Sequence, residues 1–367
     1  MFNLAIALFW PLLQIAPPIS PQNPPQVAQF VELSPRWDVA GTFETGLDRT
    51  AAVIVCPADA SEAGDLIVAD SSGQIVEMQF GPDGWKKIRT FGIGEPITAA
   101  CAGAPHADRI WRVYVGTKSG RVLELSHGSL GWTTTEVRTV VAPVRNIQAS
   151  DPGMSSVSQI FVIDGDGLVL NLWLSGADEW VTRLLPQIDG GATEVCFDFQ
   201  RTGLVAIVAG PEGTIHKFAQ DSTGSWAGGP WTSMPGGALD MAASADPTMK
   251  DIAVYYSGAD GIFRYLFYDY KEDEKARIPI AGGVTQVIGK GPQRRFNEFF
   301  AMSAGEFCLF EFDFADREWK KIAMKQISAP VTSVAFGSGR GDSLSQIYVA
   351  TLDGKVHEFV RQKMPPE

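Results

Sequence analysis

Cysteine is scarce: the 367-residue chain contains four, Cys56, Cys101, Cys196 and Cys308, and no two of them form a C-x-x-C pair. Zinc ribbons and thioredoxin-like redox motifs need such pairs, so the sequence predicts neither a metal site nor a redox centre. Cys101 and Cys196 lie in apolar segments of similar pattern. We expect buried thiols there, and one disulfide is the alternative.

Positively charged residues are also few. Lys and Arg number 30 against 42 Asp and Glu, a net charge of −12, and no basic run exceeds two residues. Affinity for nucleic acid depends on neutralising phosphates with Lys and Arg, so we expect no nucleic-acid partner. The chain has four scattered histidines and lacks the G-x-S-x-G, HExxH and phosphate-loop motifs. These absences disfavour the common enzyme classes that the motifs mark, and we expect no cofactor.

Long hydrophobic runs are missing apart from residues 4–16, a thirteen-residue stretch that is apolar except for Pro11 and Gln14. It is too short to span a bilayer and similar in length to the core of a signal peptide. We therefore interpret residues 1–16 as a signal-like or anchoring segment, residues 17–34 as a Pro-rich linker, and residues 362–367 as a tail. This predicts a secreted, periplasmic or membrane-surface protein, with membrane association through residues 4–16. The alternative is a cytoplasmic protein whose apolar tail packs on the domain or on a partner.

What the sequence does contain is a repeat. A glycine follows one β-rich run and opens the next, as in LIVADSSGQIVEMQF and IYVATLDGKVHEF, and it recurs at spacings of 47, 47, 46, 48, 44 and 49 residues. Two runs rich in Val, Ile, Phe and Tyr across a short Gly turn predict a β-hairpin. The seven positions are Gly73, Gly120, Gly167, Gly213, Gly261, Gly305 and Gly354.

Each repeat unit contains two further strands. A Trp follows the glycine by 12 to 14 residues in five units and starts a third run, and a break of small residues precedes a fourth. Four strands in a unit of this length are typical of a propeller blade. The chain ends decide the architecture, because the last unit is one strand short and residues 37–43 supply an orphan strand. Pairing the two would close the ring and remove an exposed edge. The sequence therefore predicts an all-β, seven-bladed propeller over residues 35–361.

The glycine turns and the small-residue breaks should open on one face of such a ring, the turn face. Most charged residues expected there are acidic, and negative potential on a concave rim attracts cationic partners. The alternative is that Asp is simply a favourable turn residue. The candidate partner-binding residues are Asp70, Glu95, Asp164, Asp166, Glu194, Glu212, Asp240, Asp260 and Asp353.

Two resemblances suggest functions. The blade pattern resembles β-propellers of the broad WD-like class, although the Gly-His and Trp-Asp markers of true WD40 repeats are missing. The second unit, from Trp111 to Trp132, is also similar to a blade of the fucose-binding propeller lectins. In that family an Arg, a Glu and Trp residues clasp the sugar. The resemblance implies a carbohydrate site at Arg112, Glu124 and Trp132, with a glycan as ligand.

The function that these observations favour is a non-catalytic scaffold that binds a protein or peptide, a basic one in particular, through the acidic turn face. The carbohydrate-binding lectin is the alternative. A third hypothesis is a hydrolase or lyase at the mouth of the channel, built around Glu194 and Asp240.

Overall fold

A computed structural model describes residues 37–56, 65–108, 110–128, 131–149, 159–176, 179–200, 203–233, 238–245, 252–258, 262–268, 274–282, 284–288, 298–303, 306–313, 318–327, 329–337, 340 and 346–361. These residues form seven four-stranded antiparallel sheets. Each sheet is one blade, and the predicted fold class, a seven-bladed propeller, is confirmed. No helix in the described part of the chain is long and apolar enough to cross a membrane.

The first four blades are regular and contiguous in sequence. Blade 1 comprises β2 (Thr50–Cys56), β3 (Asp65–Asp70), β4 (Gln74–Gly81) and β5 (Gly84–Gly92). Blade 2 comprises β6 (Ile97–Gly103), β7 (Arg112–Thr117), β8 (Arg121–Gly128) and β9 (Gly131–Thr139). Blade 3 comprises β10 (Val144–Ala149), β11 (Ile160–Asp164), β12 (Val169–Leu174) and β13 (Trp180–Leu184). Blade 4 comprises β14 (Glu194–Gln200), β15 (Gly203–Ala209), β16 (Thr214–Gln220) and β17 (Trp226–Ser233).

Three further blades follow along the chain. Blade 5 comprises β18 (Ala238–Ala245), β19 (Ile252–Gly258), β20 (Ile262–Tyr268) and β21 (Glu274–Gly282). Blade 6 comprises β22 (Val284–Ile288), β23 (Glu298–Ser303), β24 (Glu306–Asp313) and β25 (Glu318–Gln326). Blade 7 comprises β26 (Val331–Gly337), β27 (Gln346–Thr351), β28 (Lys355–Arg361) and, as its outer strand, β1 (Trp37–Glu44).

The first strand of each blade is the inner one, since it contacts the first strands of neighbouring blades from β26 through β2, β6, β10, β14 and β18 to β22. Strands buried on both faces read as continuous apolar runs. The second strand of blade 1 shows this, because Leu66 to Ala69 have no exposed surface. The core therefore lies between blades, as layers of apolar side chains shared by adjacent sheets.

The closing blade behaves as predicted. β1 pairs antiparallel with β28, in a register that runs from Trp37 opposite Arg361 to Glu44 opposite Lys355. Thr42 and His357 share a hydrogen bond of 2.9 Å across the two strands. Phe43 stacks on Trp85 of blade 1 with ring centroids 5.5 Å apart. The N-terminal strand therefore completes blade 7 and also packs against blade 1.

Candidate functional site

The turn face is built as the repeat predicted. Backbone N–H groups of the segments between blades donate to the turn glycines, as Ile93 does to Gly73 at 3.0 Å and Ala192 to Gly167 at 2.8 Å. Gly73 has φ +98° and its missing Cβ would collide with the carbonyl oxygen of Glu95. Only glycine satisfies both the conformation and the close approach. The turns and the connecting segments therefore form one continuous surface.

Two of the predicted partner-binding carboxylates lie beneath that surface. Asp70 is 7% exposed and accepts hydrogen bonds from the backbone N–H groups of Ser72 and Gln74. Asp164 is 2% exposed and accepts from the N–H groups of Asp166 and Leu168 in the same pattern. Both are side-chain caps of tight turns. For these two residues the turn-residue interpretation accounts for the acidic side chain.

Two other predicted carboxylates are neutralised by neighbouring cations. Glu95 accepts from Arg121 at 2.8 Å and from Ser119. Burial acts to raise the pKa of Glu95, but hydrogen bonds from Ser119 and Thr117, together with the charge of Arg121, outweigh it and hold that pKa below its ordinary value. Asp353 accepts from Lys355 at 2.9 Å, and its pKa is likewise lowered. Neither group presents a free negative charge.

Apart from Asp48, the remaining exposed carboxylates of the described turn face lie together on blades 3 and 4. Asp166 and Glu212 are exposed, and neither side chain has a hydrogen bond or ion pair within the described residues. Asp189, which our sequence reasoning missed, is exposed on the segment between their turns and acts electrostatically on His216. That segment touches both turns, since a Cβ on Gly190 would lie 2.8 Å from Pro211 and one on Gly191 2.8 Å from the carbonyl oxygen of Asp166. We call Asp166, Asp189 and Glu212 the acidic ridge.

Of the two residues predicted at the channel mouth, the structure describes the side chain of Glu194 and not that of Asp240. Glu194 begins β14 and accepts a 2.7 Å hydrogen bond from the amide of Asn146 in blade 3. Asp240 lies in β18, and its side chain is outside the described part. Asp260 lies outside the described residues altogether, as do the predicted N-terminal segment, linker and tail. Within the described part, no three His, Cys, Asp or Glu side chains gather as a metal site would require.

The second candidate site, at Arg112 and Glu124, is a cluster between blades 2 and 3. Glu124 is 6% exposed and accepts from the Tyr114 hydroxyl at 2.7 Å. His106 lies 2.8 Å and the Arg112 guanidinium 3.4 Å from the same carboxylate. Burial and the neighbouring carboxylate raise the pKa of Tyr114, so the phenol stays a donor. The carboxylate that the resemblance assigns to a sugar is thus surrounded by protein donors.

Trp132 does not belong to that cluster. Its indole Nε1 donates 2.7 Å to Glu77 of blade 1, and its ring stacks on Phe91 with centroids 5.7 Å apart. The aromatic residue at the Arg112–Glu124 cluster is Trp180 of blade 3, whose ring meets the edges of His106 and Tyr114. The four outer-strand Trp residues whose side chains are described therefore face the preceding blade: Trp85, Trp132, Trp180 and Trp226. A site between blades combines residues of one unit with the Trp of the next.

A polar residue four positions after the repeat glycine recurs at these junctions. Glu77, Glu124, Asn171 and Glu358 are each at most 6% exposed. Trp132 donates to Glu77, and Trp226 donates to Asn171 at 3.3 Å. Arg340 donates twice to Glu358, at 2.5 and 2.6 Å, and its guanidinium lies 4.5 Å from the ring centroid of Phe80 in blade 1. The sequence analysis did not predict these buried polar contacts. The pattern that indicates them is a polar residue at a fixed position within an otherwise apolar strand.

We expected buried thiols at Cys101 and Cys196: Cys196 is 2% exposed, and Cys101 is partly buried. Cys56 and Cys101 are free cysteines, which excludes a disulfide for either. Burial, followed by the charges of Asp65 and Glu77, raises the pKa of Cys56 to about 12, and burial also raises the pKa of Cys101. Both thiols therefore stay protonated and unreactive at neutral pH.

The loop that covers Glu124 should respond to acid. Asp108 accepts two hydrogen bonds from Arg112, at 2.7 and 2.9 Å, and these lower its pKa from 3.8 to about 2. A lowered carboxyl pKa means that the stabilisation is complete above about pH 4 and is lost as the pH falls toward 2. Asp108→Asn should reduce the free energy of unfolding by less than about 1 kcal/mol at pH 7, because the pair is partly exposed. Urea unfolding of the variant and of the intact chain should show this deficit at pH 7 and its disappearance near pH 2. A deficit of the same size at pH 2 would contradict the assigned pair of Asp108 and Arg112.

The fold and the described sites define a class: a seven-bladed β-propeller whose turn face carries an acidic ridge. By sequence, no protein-family model matches the chain, and neither does any curated protein. Among solved structures, it resembles BBS1N from a crystal of its complex with ARL6DN soaked with mercury, with a TM-score of 0.69 at 14% identity, covering 91% of this chain and 99% of that chain. The lead-soaked crystal of the same complex gives a TM-score of 0.68 at 13% identity and the same coverage.

At these identities the likeness establishes a β-propeller fold and nothing finer. It leaves the WD-like and fucose-lectin resemblances as predictions.

Proposed function

We propose that this chain is a non-catalytic propeller scaffold that binds a protein or peptide partner through its turn face. The observation that carries the proposal is the acidic ridge. Its exposed carboxylates lie on adjoining segments of blades 3 and 4, and Asp166 and Glu212 have no ion-pair partner within the described residues. Elsewhere on the described turn face, Asp70 and Asp164 cap turns, while Glu95 pairs with Arg121 and Asp353 with Lys355. Asp48, between β1 and β2, is a separate exposed carboxylate at the junction of blades 7 and 1.

Two further considerations support the proposal. Exposed, unpaired charges of one sign steer an oppositely charged partner and orient it, so the ridge favours a basic protein surface or segment. BBS1N, whose fold this chain shares, was crystallised in complex with another protein, ARL6DN. A propeller of this shape is therefore compatible with a role in protein binding.

Charge reversal tests the acidic ridge. Asp166→Lys combined with Glu212→Lys should reduce recovery of partners about tenfold, since each exposed pair contributes up to about 1 kcal/mol and reversal replaces attraction with repulsion. The measurement is quantitative mass spectrometry of proteins captured by the full chain. Asp83→Lys combined with Glu179→Lys makes the same charge change at exposed positions on the opposite face. Equal losses for both pairs, or no loss for either, would refute the proposal.

The carbohydrate-binding alternative has one observation in its favour, because the structure brings Arg112 and Glu124 together beside Trp180. The hydrogen bonds that Glu124 accepts within the protein oppose it, since a sugar would have to displace them. We therefore expect no signal when the intact protein is applied to a glycan array. A specific signal that Arg112→Ala abolishes would instead establish the lectin.

A further inference from the structure

Large apolar side chains are exposed at five places in the described part of the chain, and two of these lie at the same junction between blades. Val141 is 97% exposed and Leu184 is 59% exposed. Both lie at the turn-face end of the junction between blades 2 and 3. The other three are Ile88, Ile110 and Leu352. A single exposed apolar residue needs no explanation, but two at one junction mark a candidate contact surface.

Val141 is held outward by its neighbours. Val140 is 8% exposed and Ala142 is 9% exposed, so the residues on both sides of Val141 point into the protein. The N–H of Val140 donates 2.8 Å to the carbonyl oxygen of Gly120. Because the segment is anchored at both sides, presenting Val141 to a partner costs little conformational entropy.

Leu184 lies at the outer edge of the same junction. It pairs in register with Leu170, and cross-strand partners point to the same face of a sheet. Leu170 packs with Val140 in the hydrophobic cluster between blades 2 and 3, and Trp180, four residues before Leu184 on the same strand face, packs against that cluster. Leu184 therefore faces blade 2, as Leu170 does. We call Val141 and Leu184 the junction patch.

The acidic ridge begins beside the junction patch. A Cβ on Gly165 would lie 3.2 Å from the Cβ of Ala142, so the turn that carries Asp166 touches the segment that carries Val141. The ridge continues from there toward blade 4. The exposed cations Lys118 and Arg145 lie on blade 2 and at the start of blade 3. The carboxylates on the blade 2 side, Glu95 and Glu136, both accept hydrogen bonds from Arg121. The carboxylates near the patch that have no such pair, Asp166 and Glu212, lie on the blade 4 side.

We propose that the junction patch anchors a short extended segment of the partner protein. The segment carries one or two branched apolar side chains that cover Val141 and Leu184, and Lys or Arg residues a few positions away that reach the acidic ridge. This inference rests on the proposed function and specifies the chemistry of its partner. Apolar anchors surrounded by charged residues are the usual arrangement of energetically important interface contacts.

The test is selection of randomised short peptides, displayed on phage, against the immobilised full chain. We expect enrichment of peptides that combine branched apolar residues with Lys or Arg. Val141→Ser combined with Leu184→Ser should weaken a synthesised selected peptide at least tenfold while leaving the thermal unfolding midpoint unchanged, because both residues are exposed. Ile88→Ser combined with Ile110→Ser is the matched control away from the turn face, and it should bind like the intact chain.

The outcomes separate this inference from the proposed function. Peptides that lose affinity on reversal of Asp166 and Glu212, but not on substitution of the junction patch, would overturn this inference and leave the proposed function standing. If neither set of variants weakens peptide binding, both this inference and the proposed function are overturned. Sedimentation equilibrium of the peptide-free chain tests a second copy as the occupant, and self-association that depends on Val141 would also overturn the inference.

Discussion

A chain that starts at residue 45 is expected to lose the cooperative unfolding transition shown by a chain that starts at residue 37. The two differ only in β1. Seven residue pairs join β1 to β28, and their loss leaves the edge of β28 unpaired. Net hydrogen-bond contributions of about 1 kcal/mol each make this loss comparable to the total stability of a domain, about 5–15 kcal/mol.

Side-chain contacts add to this loss. Removing β1 uncovers Trp85, which stacks on Phe43 and meets the edge of the Tyr348 ring at 5.4 Å. Blade 7 would then be a three-stranded sheet joined poorly to blade 1. The ring would open at the point where its two ends meet.

Urea unfolding followed by Trp fluorescence measures the difference. Because both chains lack residues 1–36, the comparison isolates β1. A peptide of residues 37–44 added in excess should partly restore the transition in the shorter chain. If the two chains unfold at the same denaturant concentration, ring closure by β1 does not stabilise the protein and the account of the fold is wrong.

Arg340→Ala should destabilise the protein by about 3–5 kcal/mol, the usual consequence of removing one partner from a buried ion pair. Glu358 is 1% exposed and accepts two hydrogen bonds from the guanidinium. Without Arg340 its carboxylate remains buried beside apolar side chains and must either keep an uncompensated charge or take up a proton. Loss of the cation–π contact with Phe80 would also loosen blade 7 from blade 1.

A double-mutant cycle distinguishes this cause from general damage. Glu358→Gln removes the buried charge, so the combination of Arg340→Ala and Glu358→Gln should recover most of the lost free energy of unfolding. Arg138→Ala removes an exposed arginine from β9 and should change stability by no more than about 0.5 kcal/mol. Additive losses for Arg340 and Glu358 would contradict the proposed pair. Arg340 is also the first residue of an Arg-Gly-Asp tripeptide, and its guanidinium is hydrogen-bonded to Glu358 within the protein.

The fold could be predicted because its signals are local and repeated. A glycine with positive φ at each of the five described repeat turns, an alternation of apolar strands and a last unit that is one strand short all follow from backbone sterics and edge pairing. The structure confirms the blades and their closure by residues 37–44. Periodicity thus revealed the architecture without any long-range information.

The site was less predictable, because the same residue type serves two purposes on one surface. Asp164 and Asp166 stand two residues apart in one turn, yet the first is a buried cap and the second is exposed. Only the geometry of the turn distinguishes the buried cap from the exposed carboxylate. The lectin resemblance grouped Trp132 with Glu124 of its own blade, whereas the structure places it against Glu77 of the preceding blade. Contacts between blades depend on the twist and spacing of the sheets, which the sequence does not display.

Hydrogen exchange of the full chain, with and without a partner that it captures, tests the central claim most directly. We predict that protection on binding is concentrated in the turn-face segments 141–143, 165–166, 189–191 and 211–212, and that the Asp166→Lys, Glu212→Lys variant loses this protection. Protection confined to the opposite-face turns at 82–83, 175–176 and 222–224, with the turn face unchanged, would contradict the account.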